Sequence, residues 1–176
     1  MTRILDIYPV SQRDPRWKDK PLRKLPETIG LYGCYVVASA MTQNKAPDDA
    51  ANQMRDAGYF ALSSSRVLTF EQLPDSPYKT SDVTKTYYGP VPGDELLGLN
   101  AHLRANNPAI LEVRLPLANG SKTQHFVLAV GAWGFTPQTL GIVINDPWTG
   151  VQSSLCPMYG PTVAKAIYRI IYLVRK

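Results

Sequence analysis

The stretch TIGLYGCYVVASAM, residues 28–41, has the apolar pattern of a helix. Its apolar residues recur at the i, i+3, i+4 and i+7 spacing that places side chains on one face of a helix. They are Cys34, Val37, Ala38 and Met41. Because these residues are small and aliphatic, we expect a central and closely packed helix. One of the two cysteines in the chain then lies in the first helical turn, directly after Gly33.

This position of Cys34 favours thiol chemistry. The N–H groups of a first helical turn lack helical partners and the helix dipole is positive there, so a thiolate is stabilised. Gly33 permits a tight turn and the close approach of a substrate backbone. A small hydrophobic cysteine in a core helix is the alternative interpretation. The cysteine taken alone leaves both interpretations open.

Two more helices and then four strands are predicted downstream. Residues 47–58, PDDAANQMRDAG, begin with proline, carry acids in the first turn and end at glycine. Residues 93–107, GDELLGLNAHLRANN, place leucines on one helical face. After these helices the sequence turns to apolar, β-rich runs, which cover residues 109–115, 124–134, 140–146 and 166–176.

Helices that precede strands indicate an α+β fold. We expect residues 124–134 and 140–146 to pair as antiparallel neighbours through a turn near TPQT, residues 136–139. Residues 1–28 are interpreted as an irregular arm. Residues 59–92 are polar and interrupted by prolines, and the hypothesis for them is a loop that covers a cleft.

The composition indicates one globular domain over residues 1–176, with 44% hydrophobic and 19% charged residues. No run approaches the ~18 apolar residues of a membrane span. The first residues lack the apolar run of a signal peptide, so we expect a cytoplasmic protein, or one that lysis releases or a phage delivers. The net charge of +5 suits anionic partners such as a cell wall. The basic residues are dispersed, so no specific nucleic-acid partner is expected.

The cysteine and histidine counts argue against a disulfide framework and a metal site. A single bridge between Cys34 and Cys156 is possible in principle, but a cytoplasmic protein disfavours it. A zinc site would need both cysteines and both histidines, at spacings that match no known pattern. We therefore expect no metal and no cofactor. His102 is assigned to a solvated or half-buried helix face, and Cys156 to a structural role.

His125 and Asp146 are the candidate partners of the thiol. His125 begins the apolar run HFVLAVGAWG, where an imidazole at a strand edge can project into a cleft. A histidine beside a thiol forms a thiolate–imidazolium pair and later protonates the leaving amine. If the two strands form a hairpin, Asp146 or Asn145 reaches the far ring nitrogen, and we favour the carboxylate. A histidine that caps a strand and an aspartate in a turn before proline are the alternatives.

Gln12 is the candidate donor for an oxyanion. Acyl transfer needs a hydrogen-bond donor where negative charge develops on oxygen. Gln12, in SQRDPRW at residues 11–17, lies upstream of the cysteine and carries a suitable amide. A surface glutamine is the alternative. The aromatic residues Trp133, Trp148, Tyr87 and Tyr88 are assigned to core or loop packing in preference to lining a cleft.

Four segments together resemble the C39-like group of papain-fold cysteine peptidases. They are SQRDPRW, TIGLYGCYVVASAM, HFVLAVGAWG and INDPWTG. That group shows a glutamine just before an aspartate and a tryptophan, a glycine–cysteine pair that opens a helix, a histidine that begins a hydrophobic strand, and an aspartate–proline pair. The four segments occur in this order over most of the chain, and the match is weakest in residues 59–92.

The resemblance implies a papain-like fold, in which a helical half with the cysteine packs on an antiparallel sheet with the histidine and aspartate. It implies Cys34 as nucleophile, His125 as general acid/base, Asp146 as the group that orients the histidine, and Gln12 with the Cys34 backbone N–H as oxyanion hole. The implied activity is hydrolysis of an amide bond in a peptide or protein through a thioester. The best-known members are fused to a membrane exporter and trim leader peptides. This chain contains neither transporter nor ATPase, so leader processing is not implied.

Two alternatives remain open at this point. A peptidoglycan-cleaving cysteine hydrolase, of phage or bacterial type, has the same chemistry with a different substrate. A catalytically inactive papain-like module that binds a peptide has the same fold without the chemistry.

Overall fold

The computed structural model describes residues 3–23, 26–60, 69–72 and 75–176 of the chain. Its helices are α1 (Ile29–Tyr32), α2 (Cys34–Met41), α3 (Pro47–Asp56), α4 (Gly93–Arg104) and α5 (Val163–Ala166). Its strands are β1 (Arg3–Ile4), β2 (Tyr78–Thr86), β3 (Ala109–Pro116), β4 (Lys122–Trp133), β5 (Gly141–Asp146), β6 (Val151–Ser154) and β7 (Arg169–Arg175). The combination of helices with an antiparallel sheet confirms the predicted α+β class. None of the helices in these ranges has the length and apolar character needed to cross a membrane.

Helix α2 begins at Cys34, as the spacing of its apolar residues predicts. All of its residues from Tyr35 to Met41 are buried, so core residues surround the helix on every side. The ring of Tyr35 packs edge-on against Phe126 of β4, with ring centroids 5.5 Å apart. The helix that carries the cysteine is therefore fixed directly on the central strands.

The strands form one antiparallel sheet in the order β2–β7–β3–β4–β5–β6, and β1 pairs with β4 beyond the end of β3. The predicted hairpin of β4 and β5 is confirmed, with Leu128 opposite Asn145. Its turn lies where TPQT predicts it, since the Thr139 N–H donates to the Thr136 carbonyl at 3.1 Å. This register determines which side chains of the two strands can meet.

The core consists of two clusters, one on each face of the sheet. Successive residues of a strand point to opposite faces. In β4, Phe126 and Leu128 join the cluster that contains α2 and α3. The alternate residues Val127 and Ala129 join the cluster that contains the leucines of α4. The sheet thus lies between two helical layers, which differs from the expected packing of one helical half on a separate strand half.

Three segments depart from the sequence-based expectations. Residues 3–23 and 26–28 of the predicted arm are irregular except for β1 and an isolated bridge between Pro21 and Thr28, and α1 follows directly. Strands β2 and β6 were not predicted, because YKTSDVTKT and VQSS lack the alternation of apolar residues that a half-buried strand shows. The hypothesis of a cleft-covering loop in 59–92 falls partly on residues 61–68 and 73–74, which lie outside the described residues.

Gly33 is required by the turn that precedes it. Its φ of −84° is accessible to any residue. A Cβ at this position would lie 2.4 Å from the Ile29 carbonyl oxygen and 2.9 Å from the Ile29 Cα. The backbone of α1 therefore excludes a side chain. The glycine is therefore needed for the tight turn that the sequence predicts before Cys34.

We expect Gly33→Ala to lower the free energy of unfolding by about 1–3 kcal/mol, because the new Cβ is forced against the Ile29 backbone. Gly98→Ala is the matched control. Gly98 is exposed in the interior of α4 and has no atom within 4 Å of its Cβ position. Alanine at position 98 should raise the free energy of unfolding by about 0.5–1 kcal/mol. Urea unfolding measures both, and equal stability of the two variants would contradict the steric account.

Candidate active site

The β4–β5 hairpin brings His125 and Asp146 together. Because Leu128 is opposite Asn145, His125 and Asp146 are diagonal neighbours on one face of the sheet. The His125 Nε2 lies 2.8 Å from the Asp146 Oδ1, and both side chains are almost completely buried. Asp146, and not Asn145, therefore contacts the imidazole. Asn145 instead donates from Nδ2 to the Ile7 carbonyl at 2.6 Å and so holds the N-terminal arm.

Cys34 completes this group from the other side of the imidazole. Cys34 is partly exposed and lies close enough to His125 to contribute to the raised pKa of the imidazole. Because the His125 Nε2 contacts Asp146, Nδ1 is the ring nitrogen that remains for the thiol. Gly33 at the N-cap provides no capping side chain, so the N–H groups in the first turn of α2 have no side-chain partner there. A thiol, an imidazole and a carboxylate thus lie in series.

The electrostatics of the group favour its charged form. Burial alone lowers the pKa of His125, but hydrogen bonds with Asp146 and Cys34, and the charges of both, raise that pKa to about 9. Burial also opposes ionisation of Asp146, yet its hydrogen bonds with His125 and Tyr159 lower the pKa of this carboxyl below its usual value. At neutral pH the carboxylate is therefore ionised and the imidazole is protonated.

Gln12 is buried, so the alternative of a surface glutamine is wrong. Its backbone N–H donates to the Pro147 carbonyl at 2.7 Å. Its Nε2 donates to the carbonyl of Gly30, which lies one turn before Cys34, at 3.0 Å. This bond orients the amide, because a flipped amide would place oxygen against oxygen. The amide has two N–H hydrogens, so one remains for an oxyanion.

Tyr159 belongs to the group and was missed in the sequence analysis. Its hydroxyl donates to the Asp146 Oδ2 at 2.6 Å, and its ring stacks on His125 with centroids 6.0 Å apart. Burial and the neighbouring carboxylate raise the pKa of Tyr159, so the hydroxyl remains a donor at all working pH values. Nothing in the segment SLCPMYG links this tyrosine to the aspartate. The one available signal is general, because a buried tyrosine hydroxyl usually has a hydrogen-bond partner.

Trp148 also lies against the histidine, although loop packing was the favoured interpretation. Its half-buried ring is edge-on to His125, with ring centroids 6.5 Å apart. Its backbone N–H donates to the Asp146 Oδ1 at 2.9 Å. Trp148 therefore contributes a donor to the carboxylate and a hydrophobic surface beside the imidazole.

The other singled-out residues have packing roles, except for Tyr88, for which the expectation of core or loop packing is wrong. His102 is half-buried, as expected, and its Nε2 lies 3.1 Å from the Pro108 carbonyl oxygen. Cys156 is a half-buried free thiol. Trp133 covers Gly141, where a Cβ would meet its ring at 2.0 Å. The hydroxyl of Tyr87 donates to Glu95, and Tyr88 is fully exposed.

Comparison with protein-family models and with curated proteins finds no match to this chain. The assignment of function therefore rests on the chemistry of these side chains.

Asp146→Asn should lower the pKa of His125 from about 9 towards the ordinary ~6.5, because the negative charge that favours the imidazolium is removed. The chain has two histidines, so a ¹⁵N NMR titration of the ring nitrogens resolves both. His102 is the internal control. Burial lowers the pKa of His102. This lowered pKa should be the same in Asp146→Asn and in the unaltered protein. An unchanged His125 titration would contradict the assigned contact.

Proposed function

We propose that this chain is a thiol-dependent hydrolase that cleaves a peptide bond through a thioester on Cys34, as a papain-like peptidase of the C39-like group. The observation that carries the proposal is the position of His125. Its buried imidazole contacts the ionised Asp146 through Nε2, and the partly exposed Cys34 lies close enough to contribute to the raised pKa of the imidazole. This is the arrangement that nucleophile, base and orienting group require.

Acylation begins with the thiolate–imidazolium pair. The Cys34 sulfur attacks the carbonyl carbon of the scissile amide, and the carbonyl oxygen becomes an oxyanion. The remaining N–H of the Gln12 amide and the Cys34 backbone N–H are the donors for this oxygen. The C–N bond then breaks, and the leaving nitrogen takes the proton from His125. The products of this step are an amine, a thioester and a neutral imidazole.

Deacylation uses the neutral imidazole as a base. His125 removes a proton from a water molecule, whose oxygen attacks the thioester carbon. The C–S bond breaks, a carboxylic acid leaves, and the thiolate–imidazolium pair is restored. Asp146 holds the imidazole in one orientation during both steps, because its Oδ1 accepts from Nε2 and its Oδ2 accepts from Tyr159.

Two alternatives remain from the sequence analysis, and one observation favours the first of them. A peptidoglycan-cleaving hydrolase uses the same chemistry, and the net charge of +5 suits an anionic wall. An inactive peptide-binding module keeps the fold but does not need a reactive thiol. The reactivity of Cys34 separates this module from both hydrolases.

We expect iodoacetamide to alkylate Cys34 rapidly at pH 6–7, because the imidazolium that stabilises its thiolate persists up to a pH of about 9. Cys156 is the control within the same molecule. Burial raises the pKa of the Cys156 thiol, so it should react only in alkaline solution. Mass spectrometry of peptides from samples quenched between pH 4 and 10 resolves the two sites.

His125→Ala should remove the reactivity of Cys34 at low pH and leave only that of an ordinary thiol, which ionises near pH ~8.5. The reactivity of Cys156 should not change in this variant. If Cys34 of the unaltered protein is inert at neutral pH, the hydrolase proposal fails and the binding module takes its place.

Gln12→Ala should reduce kcat/KM for hydrolysis of p-nitrophenyl acetate about 10²–10³-fold, because one oxyanion donor is lost. Alkylation by iodoacetamide should not change, since displacement of iodide creates no oxyanion. Gln72→Ala is the matched control, because Gln72 is a buried glutamine whose Nε2 donates to Ser39 in the interior of α2. Parallel loss of hydrolysis and alkylation in Gln12→Ala would show a structural role instead.

A further inference from the structure

We propose that Arg13 and Trp148 form a subsite that binds a carboxylate of the substrate on the leaving-group side of the scissile bond. This inference rests on the proposed function, because it assigns a substrate class to one side of the same site. The preferred substrate is a peptide with an acidic residue shortly after the bond that is cleaved.

The side of the site follows from the proton transfer. The group that protonates the leaving nitrogen must lie within hydrogen-bond reach of it, so His125 marks the leaving-group side. The ring of Trp148 lies next to His125, with 6.5 Å between ring centroids, and it is half exposed. The residues that follow the scissile bond therefore pass over or beside Trp148.

Arg13 is stacked on this same ring. Its Cζ lies 4.7 Å from the centroid of Trp148, and the side chain is exposed. The neighbouring backbones are tied together, because the Gln12 N–H donates to the Pro147 carbonyl. Gly150 also lies against Ser11, where a Cβ would meet the Ser11 Cβ at 2.6 Å. The backbone segments on either side of this pair are therefore fixed against each other, and the guanidinium lies over the Trp148 ring at the edge of the site.

The charge of Arg13 has no carboxylate partner within the part of the chain that the structure describes. Asp14 does not neutralise it, because both carboxylate oxygens of Asp14 accept from Arg16. Arg16 is stacked on Trp17 at 4.3 Å, so the same segment holds two stacked arginines. Arg16 has its counterion and Arg13 does not.

A stacked guanidinium is well suited to bind a carboxylate. Its flat face rests on the ring, while its N–H groups at the edge can donate two parallel hydrogen bonds to the two oxygens of a carboxylate. The pair is exposed, so we expect a preference of about two- to fivefold and not an absolute requirement. The preference should weaken at high salt, because solvent-exposed charges are screened.

The experiment uses aminolysis of the acyl-enzyme, which needs no natural substrate. p-Nitrophenyl acetate transfers its acetyl group to the Cys34 sulfur, and the leaving p-nitrophenolate takes the proton of His125 and departs as p-nitrophenol. The amine of an added dipeptide then attacks the thioester carbon, the C–S bond breaks, and the amine proton passes to neutral His125. This step is the reverse of leaving-group departure, so the dipeptide occupies the leaving-group side.

The probes are matched pairs of dipeptide amides that differ in charge only. Glycyl-glutamate amide is compared with glycyl-glutamine amide, and glutamyl-glycine amide with glutaminyl-glycine amide, so that two positions are tested. Mass spectrometry measures the ratio of acetylated products from an equal mixture, at 20 mM and at 1 M NaCl. Cys34→Ala gives the background.

We expect the acidic peptide of at least one pair to be acetylated about two- to fivefold more at low salt. Arg13→Gln should abolish this preference, and Arg13→Lys should retain part of it because the charge remains. Arg175→Gln is the matched control, because Arg175 is an exposed arginine that lies over another aromatic ring, Tyr78, with its Cζ 6.0 Å from the ring centroid, and it should retain the preference fully. No preference in either pair, or a preference that persists in Arg13→Gln, would overturn the subsite. If Cys34 is not acetylated at all, the proposed function fails first and the subsite with it.

Discussion

The burial of the Asp146 carboxylate is the constraint on which the rest of the site depends. A carboxylate without solvent contact is costly unless donors surround it. His125, the Tyr159 hydroxyl and the Trp148 backbone N–H supply those donors. Each donor comes from a different segment of the chain. Contact with the Asp146 side chain therefore fixes the imidazole, the tyrosine and the loop after β5. The negative charge in turn favours the imidazolium that a thiolate needs beside it.

Much of the fold follows from local patterns in the sequence. Helix α2 begins at Cys34 because its apolar spacing begins there, and β4 and β5 are almost continuously apolar because both of their faces are buried. Strand β2 is different, because its polar residues are held by pairing with β7, and such long-range pairing leaves no periodic signal. Helix α4 packs on the opposite face of the sheet from α2. The packing of the whole core determines this position, so the sequence of α4 alone does not predict it.

The site was predictable to the extent that its residues lie at the ends of predicted elements. Cys34 begins a helix, His125 lies near the beginning of a strand, and Asp146 ends the next one, so a hairpin brings the last two together. Tyr159 could not be predicted, because its contact with Asp146 depends on the path of a loop without periodic structure. The separate roles of Asn145 and Asp146 also required coordinates, since neighbouring residues on a strand face opposite ways.

The hydrogen bond from Asn145 to the Ile7 carbonyl joins residues 138 positions apart in the chain. Contacts of such long sequence separation form late, because the entropy of closing a large loop opposes them. During synthesis the cysteine emerges long before the histidine and the aspartate, and the glutamine arm cannot dock until the strand that holds it exists. A growing chain therefore contains Cys34 before His125 and Asp146 are present beside it. The order of translation thus delays assembly of this group until the hairpin of β4 and β5 has formed.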